Sequence, residues 1–441
     1  MKDKINITFI FFSVIISRLP FIWNSPGLDL DNWLVLHTGK KILETGSYRA
    51  SRFPGYPVSE YLASLFGDCA WLILNVLSVL FTALCCVVFY KIIGNLGVKD
   101  KVMAALALGF VQAVFIASTS NMEYVWSLFF LLSGLWFILK KYIFWAGVAL
   151  GLMVSTRFTN IILLMPILYF LYFTVRIRSL KDYLVIFGVA VSTFVLIFTP
   201  VFSKYSLNIL PDVGESSIDL KSIVSQYTMY IYGVLGILGL LVGCIYIIFS
   251  KNLVRNFQSN KEILIFSVLM ILITSFLYLK YPFESNYNIP LIPFVILILV
   301  FLIQNKMVKN IIFSSFILSP FVIYVSSNKV QFKGTVFVNE KMENDFLVYT
   351  KSIHTQFSKI KSDKKVLVAG CFYNCYLYNY PNNNRNIKIY EGPTLDLLKH
   401  YISQGYKIYY PITVKKEIEN FHHYDISEYG KGILTEFNFD R

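Results

Sequence analysis

Apolar residues fall in blocks of roughly 17 to 23 along this chain, the length a helix needs to cross about 30 Å of hydrocarbon. That pattern excludes an ordinary soluble domain. Charge agrees: 56% of residues are apolar and only 15% are Asp, Glu, Lys or Arg, against about 25% charged in typical globular chains. Hydropathy predicts spans near 5–22, 71–90, 102–118, 123–139, 142–156, 160–175, 183–202, 227–249, 262–279, 289–304 and 310–326. The chain therefore reads as an α-helical polytopic membrane protein with about eleven transmembrane helices.

The formal net charge of +14 does not point to nucleic acid, because of where the charges lie. One set of alternate connections is short and basic. It holds Lys2 and Lys4, Lys91, Lys99 and Lys101, Lys140 and Lys141, Arg176, Arg178 and Lys181, Lys251, Arg255 and Lys261, and Lys306 and Lys309. The other set is longer and poorer in Lys and Arg. This positive-inside asymmetry puts the N-terminus in the cytoplasm and the C-terminus outside. The orientation depends on the short helix 142–156 crossing the membrane; without it everything downstream inverts. The first span lacks a small-residue cleavage site before Arg18-Leu19-Pro20 and reads as an uncleaved signal anchor. Richness in Lys, Asn, Ile, Phe and Tyr hints at an AT-rich microbial genome, hence a prokaryotic plasma membrane.

Inner loops are too short to build a site, so function belongs to the outer face. Three outer segments have the length: 23–70, 203–226 with Asp212, Glu215 and Asp219, and 280–288. The first is the most informative. It opens with Asp29 and Asp31, carboxylates that are costly beside a span unless water, a cation or a basic group compensates them. From Asp31 to Glu44, Trp33, Leu34, Leu36, Ile42 and Leu43 fit an amphipathic helix in the interface, with Trp33 at headgroup level. Gly46 is its expected C-cap. Residues 49–57 form a rigid Pro-Gly turn carrying Arg49 and Arg52, and 58–66 leads helically back to the membrane.

Residues 327–441 regain Lys, Glu, Asp and Asn. Strands are expected at 365–370, 407–410 and 432–437, and helices at 393–404 and 413–421. The chain divides into a transmembrane domain, 1–326, and a small extracytoplasmic α/β domain, 327–441. Cys69, Cys85, Cys86 and Cys244 read as buried apolar thiols in or beside spans. Cys371 and Cys375 suit either a tight disulfide or two free thiols. His37 reads as an interfacial packing residue, and His422-His423 as a solvated pair without partner ligands.

The first outer loop has what glycosyl transfer from a lipid phosphate carrier requires. A carboxylate must accept a proton from an acceptor hydroxyl, or hold a divalent cation such as Mg or Mn that does part of the work. Asp29 and Asp31 supply that, as base or as metal ligands; no other cofactor is implied. Cations must take up the charge of the departing phosphate, and Lys40, Lys41, Arg49 and Arg52 are placed for it. The bland alternatives are that Asp29 caps or solvates a loop and that Asp31 N-caps the helix. Arg157, in a short outer turn, either snorkels to headgroups or contacts phosphate. Glu123 either complements a helix dipole or joins the site. Glu284, with Tyr287, is the better site candidate of the two, because prolines on both sides hold its loop.

These features resemble the GT-C superfamily, polytopic glycosyltransferases that use polyprenyl-phosphate sugars, such as protein O-mannosyltransferases and lipid A aminoarabinose transferases. The matching features begin with the acidic motif at Asp29 and Asp31, helix 31–44, Gly46-Ser47-Tyr48 and Arg52 to Pro57. They continue with Glu123, Gly147, Gly151 and Arg157, and with Pro282, Glu284, Tyr287, Pro290 and Pro293. Asn32 stands where the O-mannosyltransferase branch has Glu after the aspartate. The resemblance implies a polyprenyl-phosphate-linked sugar as donor and an extracytoplasmic glycan, lipid or protein as acceptor. It implies inversion with Asp31 as base and Asp29 as helper or metal ligand. Arg52, Arg157, Lys40, Arg49, Glu284 and Tyr287 would serve substrate or phosphate. The competing readings are a transporter or flippase for a lipid-linked or anionic substrate, disfavoured by spans nearly free of charge and of repeats, and a receptor whose outer tail binds a partner.

Overall fold

The computed structural model describes residues 2–206, 220–280, 282, 285–325, 330–380, 384, 386–392, 394–411 and 434–436. Asp212, Glu215, Asp219, Glu284, the expected helix 413–421 and His422-His423 lie outside the described residues.

Every apolar segment expected from hydropathy is helical. The helices run α1 (Lys2–Arg18), α2 (Leu30–Thr45), α3 (Pro57–Phe66), α4 (Ala70–Asn95), α5 (Val102–Phe110), α6 (Gln112–Ala117), α7 (Tyr124–Leu139), α8 (Ile143–Thr156), α9 (Leu164–Tyr169) and α10 (Leu180–Tyr205). They continue as α11 (Leu220–Ser225), α12 (Ile231–Phe249), α13 (Leu253–Ser259), α14 (Lys261–Lys280), α15 (Ile292–Leu302) and α16 (Lys306–Val322). Among the described residues, 6 stretches are long and apolar enough to cross a membrane: Lys2–Phe21, Pro57–Asn95, Leu180–Tyr205, Ile223–Phe249, Lys261–Lys280 and Ser285–Leu302. Shorter apolar helices, Tyr124–Leu139, Ile143–Thr156 and Phe158–Thr174, accompany them. Helix α8 packs between α7 and α10, and its 14 residues reach only about 21 Å.

The segment expected as one span at 102–118 is broken at Val111, which is extended (φ −53°, ψ 135°). A broken helix in an apolar setting leaves carbonyls that must be met inside the protein. Arg18 meets them. Fully buried, it donates to the Gly109 carbonyl and, at 3.2 Å, to Ser118 Oγ. Its guanidinium lies 4.6 Å and 4.0 Å from the Phe110 and Phe115 rings. On the far side of the break, Gln112 Nε2 donates to the carbonyls of Met229 (3.0 Å) and Tyr230 (3.3 Å), where the helix leading into α12 is kinked at Gly233. Two interrupted helices thus satisfy each other.

After the short hairpin β1 (Tyr324–Val325) and β2 (Val330–Gln331), the tail contains α17 (Thr335–Lys359), β3 (Lys365–Val368), α18 (Tyr373–Asn379), β4 (Ile387–Tyr390), α19 (Leu395–Ser403), β5 (Lys407–Pro411) and β6 (Leu434–Glu436). The sheet order is β4-β3-β5-β6, parallel except for β6. Val366, Val368, Ile408 and Tyr410 pack with Leu398 on one face, while Leu367 and Tyr409 join the main core with Phe357. That alternation is the period of a sheet covered on both sides. Cys375 is a free thiol, and Cys69 and Cys244, expected to be buried, are exposed.

The tail does not stand apart from the membrane helices. Trp33 of α2, expected at headgroup level, is 2% exposed. It stacks on Phe346 of α17 at 5.9 Å and meets Tyr378 of α18 edge-on at 6.1 Å. Pairs of this kind add about 0.5–1.5 kcal/mol each beyond burial. Tyr378 Oη also donates to the carbonyl of Asp68 at 3.2 Å. The interfacial helix is therefore clamped between the membrane bundle and the tail.

Candidate active site

The site is assembled from the start of α2, the turn before α3, the start of α7 and the end of α8. At α2 the cap falls to Asp29, not Asp31: Asp29 Oδ1 accepts from the Asp31 backbone N–H at 2.9 Å. A short acceptor just ahead of the first turn satisfies an N–H the helix cannot. Asp31 is thereby freed from capping. Its Oδ2 lies 3.2 Å from Arg52 Nε, and its side chain is 40% exposed. Burial, followed by the neighbouring Asp31 carboxylate, pushes Asp29 up to about 6. At its far end α2 stops at Gly46, a left-handed C-cap (φ 64°) whose N–H donates to Ile42 O, as expected for glycine there.

Arg52 is held in place by a residue the sequence reading passed over. Glu60 of α3 is fully buried. Its carboxylate accepts from Tyr48 Oη (2.5 Å), from Ser51 N and Oγ (both 2.6 Å) and from Tyr56 N (3.3 Å). A buried carboxylate is tolerated only when so furnished, and here the donors are the turn that presents Arg52. The guanidinium sits 3.8 Å from the Tyr56 ring. Burial opposes its charge, but the carboxylates of Glu123 and Asp31 outweigh that and hold it firmly protonated.

Arg52 Nη2 reaches Glu123 Oε1 at 2.7 Å, and Arg157 Nη1 reaches the same oxygen at 3.1 Å. The Glu123 and Arg157 side chains are only 1% and 4% exposed. The Arg157 guanidinium lies 3.8 Å from the Tyr124 ring and 5.0 Å from that of Tyr287. Arg157 therefore neither snorkels nor stands alone. It pays part of the cost of burying Glu123. The chain Asp31–Arg52–Glu123–Arg157 balances two carboxylates against two guanidiniums, yet Arg52 Nη1 is buried with no hydrogen-bond partner.

Asp29, Asp31, Arg52, Arg157 and Tyr287 thus gather in one place, with Glu123, which the sequence weighed below Glu284, at the centre. Lys40 and Arg49 do not join them. Lys40 pairs with Asp68 at 3.1 Å, and Arg49 is exposed. His37 is buried, and desolvation together with Lys41 and Arg49 depresses it to about 4, so it is neutral at pH 7. As metal ligands, Asp29 and Asp31 have oxygens already engaged by an N–H and by Arg52. Among the described residues no three His, Cys, Asp or Glu gather at metal spacing.

The tail reaches the acidic loop directly. Ser25 Oγ donates to Glu343 Oε2 of α17 at 2.8 Å and accepts from Gly27 N at 2.9 Å. Burial raises Glu343 to about 7; the Ser25 hydrogen bond opposes this and the Glu340 carboxylate adds to it. A carboxyl raised in the folded state contributes stability below its ordinary value of 4.5, and that stability is lost as pH climbs through about 7. Glu343→Gln cannot ionise. Its melting temperature relative to the parent protein should therefore rise between pH 5 and pH 8; a difference that stays flat across that range contradicts the shift.

No family model and no curated protein matches the sequence. Solved structures do. The apo oligosaccharyltransferase of Archaeoglobus fulgidus aligns over 94% of this chain and 70% of its own, with TM-score 0.50 and 11% identity. The fold is of the GT-C type. The same archaeal enzyme tethered to an acceptor peptide with an NVT sequon gives TM-score 0.49 at 12% identity, covering 94% of this chain and 69% of that one. Its complex with Zn and sulfate gives TM-score 0.49 at 12% identity, covering 97% and 70%. At such identity the likeness describes the GT-C backbone, and the chemistry has to be argued from this chain's own residues.

Proposed function

We propose that this chain is an integral membrane glycosyltransferase that moves a sugar from a polyprenyl-phosphate donor to an acceptor hydroxyl on the extracytoplasmic side. The observation that carries the reading is Arg52, which bridges Asp31 and Glu123 and keeps one buried guanidinium nitrogen unspent. A guanidinium fixed by two carboxylates, its side chain 17% exposed and one nitrogen without a partner, is suited to a phosphate oxygen. The orientation fits as well. The acidic loop, the Glu123 turn, the Arg157 turn and Tyr287 are all expected outside from the charge asymmetry, and they meet at one site together with the tail. The domain 1–326 then supplies the reacting groups, and 327–441 closes over them.

In the reaction, Asp31 accepts the proton of the acceptor hydroxyl as its oxygen attacks the anomeric carbon. The bond from that carbon to the phosphate oxygen breaks on the opposite face, so the centre inverts, and the polyprenyl phosphate leaves with the electron pair. Arg52 and Arg157 meet the charge that develops on it. When phosphate draws on Arg52, the guanidinium relaxes its hold on Asp31, and the base is released as the donor seats. Mass spectrometry of lipid-linked and cell-surface glycans in a strain lacking the protein tests the reading. One lipid-linked sugar should accumulate and one surface glycan should lose a residue; unchanged pools of both overturn it.

A further inference from the structure

Beside Asp29 lies a cavity of about 90 Å³ that the mechanism above does not use. It is enclosed by the loop at Gly27–Asp29, the start of α2, the residues between α6 and α7, and α17 of the tail. Among the described residues its polar lining includes Asp29, Asn32, Ser120, Asn286, Glu340 and Glu343, and no lysine or arginine. Asn32 is fully buried, and neither its Oδ1 nor its Nδ2 has a hydrogen-bond partner. Buried carboxamides are almost always paired, so one with neither atom paired, packed behind the wall of a polar cavity, can gain both bonds if it turns toward a ligand there. The backbone is built around it. Gly27 takes φ +122°, and a side chain there would run into the Asn32 amide and Ser120.

The chemistry of that ligand follows from the lining. Three carboxylic residues with no lysine or arginine disfavour a phosphate or carboxylate. An ammonium or a metal ion would suit the acids and Asn32 Oδ1, but would leave the Nδ2 donor unmet. A hydroxyl donates and accepts at once and meets both atoms. The volume admits about three water-sized groups, an edge of a ring rather than a whole one.

We propose that this cavity is the acceptor subsite and takes the diol edge of a saccharide or other polyol. One hydroxyl pairs with the Asn32 amide, and its neighbour donates to Asp29 or Glu343. The assignment rests on the glycosyl-transfer reading and narrows its acceptor to a polyhydroxylic one. Asp29 ties the cavity to the base, since it lines the cavity and accepts from the Asp31 backbone N–H. It also assigns α17 a part in acceptor recognition, through Glu340 and Glu343.

The test uses the full chain in nanodiscs carrying Ser120→Cys, with N-ethylmaleimide labelling of that thiol followed by peptide mass spectrometry. The probes are the methyl glycosides of glucose, galactose and mannose, with N-acetylasparagine amide, ethylammonium and inorganic phosphate as contrasts. A glycoside at about twice its dissociation constant slows labelling about threefold. That protection should vanish with Asn32→Ala and weaken with Glu343→Gln, the milder change that keeps a readout if Asn32→Ala does not fold. The proposal is overturned if no glycoside protects, if protection survives both substitutions, or if only the amide, the ammonium or phosphate protects. No donor or turnover is needed. A protein that binds glycosides yet transfers nothing contradicts the function, not the subsite, and the reverse result contradicts only the subsite.

Discussion

Asp31→Asn is expected to lower glycosyl transfer by about 10²- to 10⁴-fold, the usual contribution of a positioned general base, with little change in folding. The two effects separate because the helix cap belongs to Asp29, whose Oδ1 takes the Asp31 N–H. Asparagine at 31 keeps that N–H and the start of α2. Arg52 keeps its 2.7 Å bond to Glu123, so the guanidinium is not stranded. Losing the carboxylate that shares Arg52 frees the guanidinium for phosphate, so KM for the lipid donor should stay level or fall while kcat collapses. Asp29→Asn makes the contrast. Asparagine caps as well as aspartate, so this variant should fold and retain far more turnover. Kinetics with purified protein and a polyprenyl-phosphate sugar check both. Asp31→Asn turnover within tenfold of the parent, in a protein with an unchanged melting curve, removes Asp31 from the role of base.

Much of the scaffold was legible because its signals are local. Block length and charge marked the membrane helices, and Gly46 marked the end of α2. The apolar run at 366–369 marked an interior strand of the tail. Helix α17 escaped, although Phe346, Tyr349, Ile353 and Phe357 form a stripe at helical spacing and are all buried; the polar residues between them dilute the signal. Trp33 was placed at the headgroups because its cover, Phe346 and Tyr378, lies more than three hundred positions away. The site was legible only in part for the same reason. Asp31, Arg52 and Arg157 stood out by type and placement. Glu60 did not, and Glu123 ranked below Glu284, since an acid in or at the end of an apolar helix says nothing locally about which donors will surround it. Glu123 finds Arg52 and Arg157 across 71 and 34 positions, and no short-range pattern encodes such a meeting. The break at Val111 was hidden likewise, because it is stabilised by Arg18 from another helix.

The pairing of Glu123 with Arg157 sets the other large effect. Removing one member of a buried ion pair strands the other, at a cost of about 3–5 kcal/mol. Glu123→Leu, which strands Arg157, should destabilise the protein by about that much, read as loss of unfolding free energy in denaturant, and Arg157→Leu by less, because Glu123 keeps its 2.7 Å bond to Arg52. The two side chains are 1% and 4% exposed and 3.1 Å apart, so neither can reach water when its partner goes. Replacing both at once removes the stranded charge. The double variant should lose well under the sum of the single losses, with a coupling of roughly 1–3 kcal/mol. In it Arg52 still holds Asp31, so part of the site's geometry survives while its capacity to stabilise departing phosphate drops. Additive losses would mean that Arg157 owes its place to the rings of Tyr124 and Tyr287 rather than to Glu123. The charge chain from Asp31 inward would then end at Arg52, and Arg157 would be free to meet phosphate on its own.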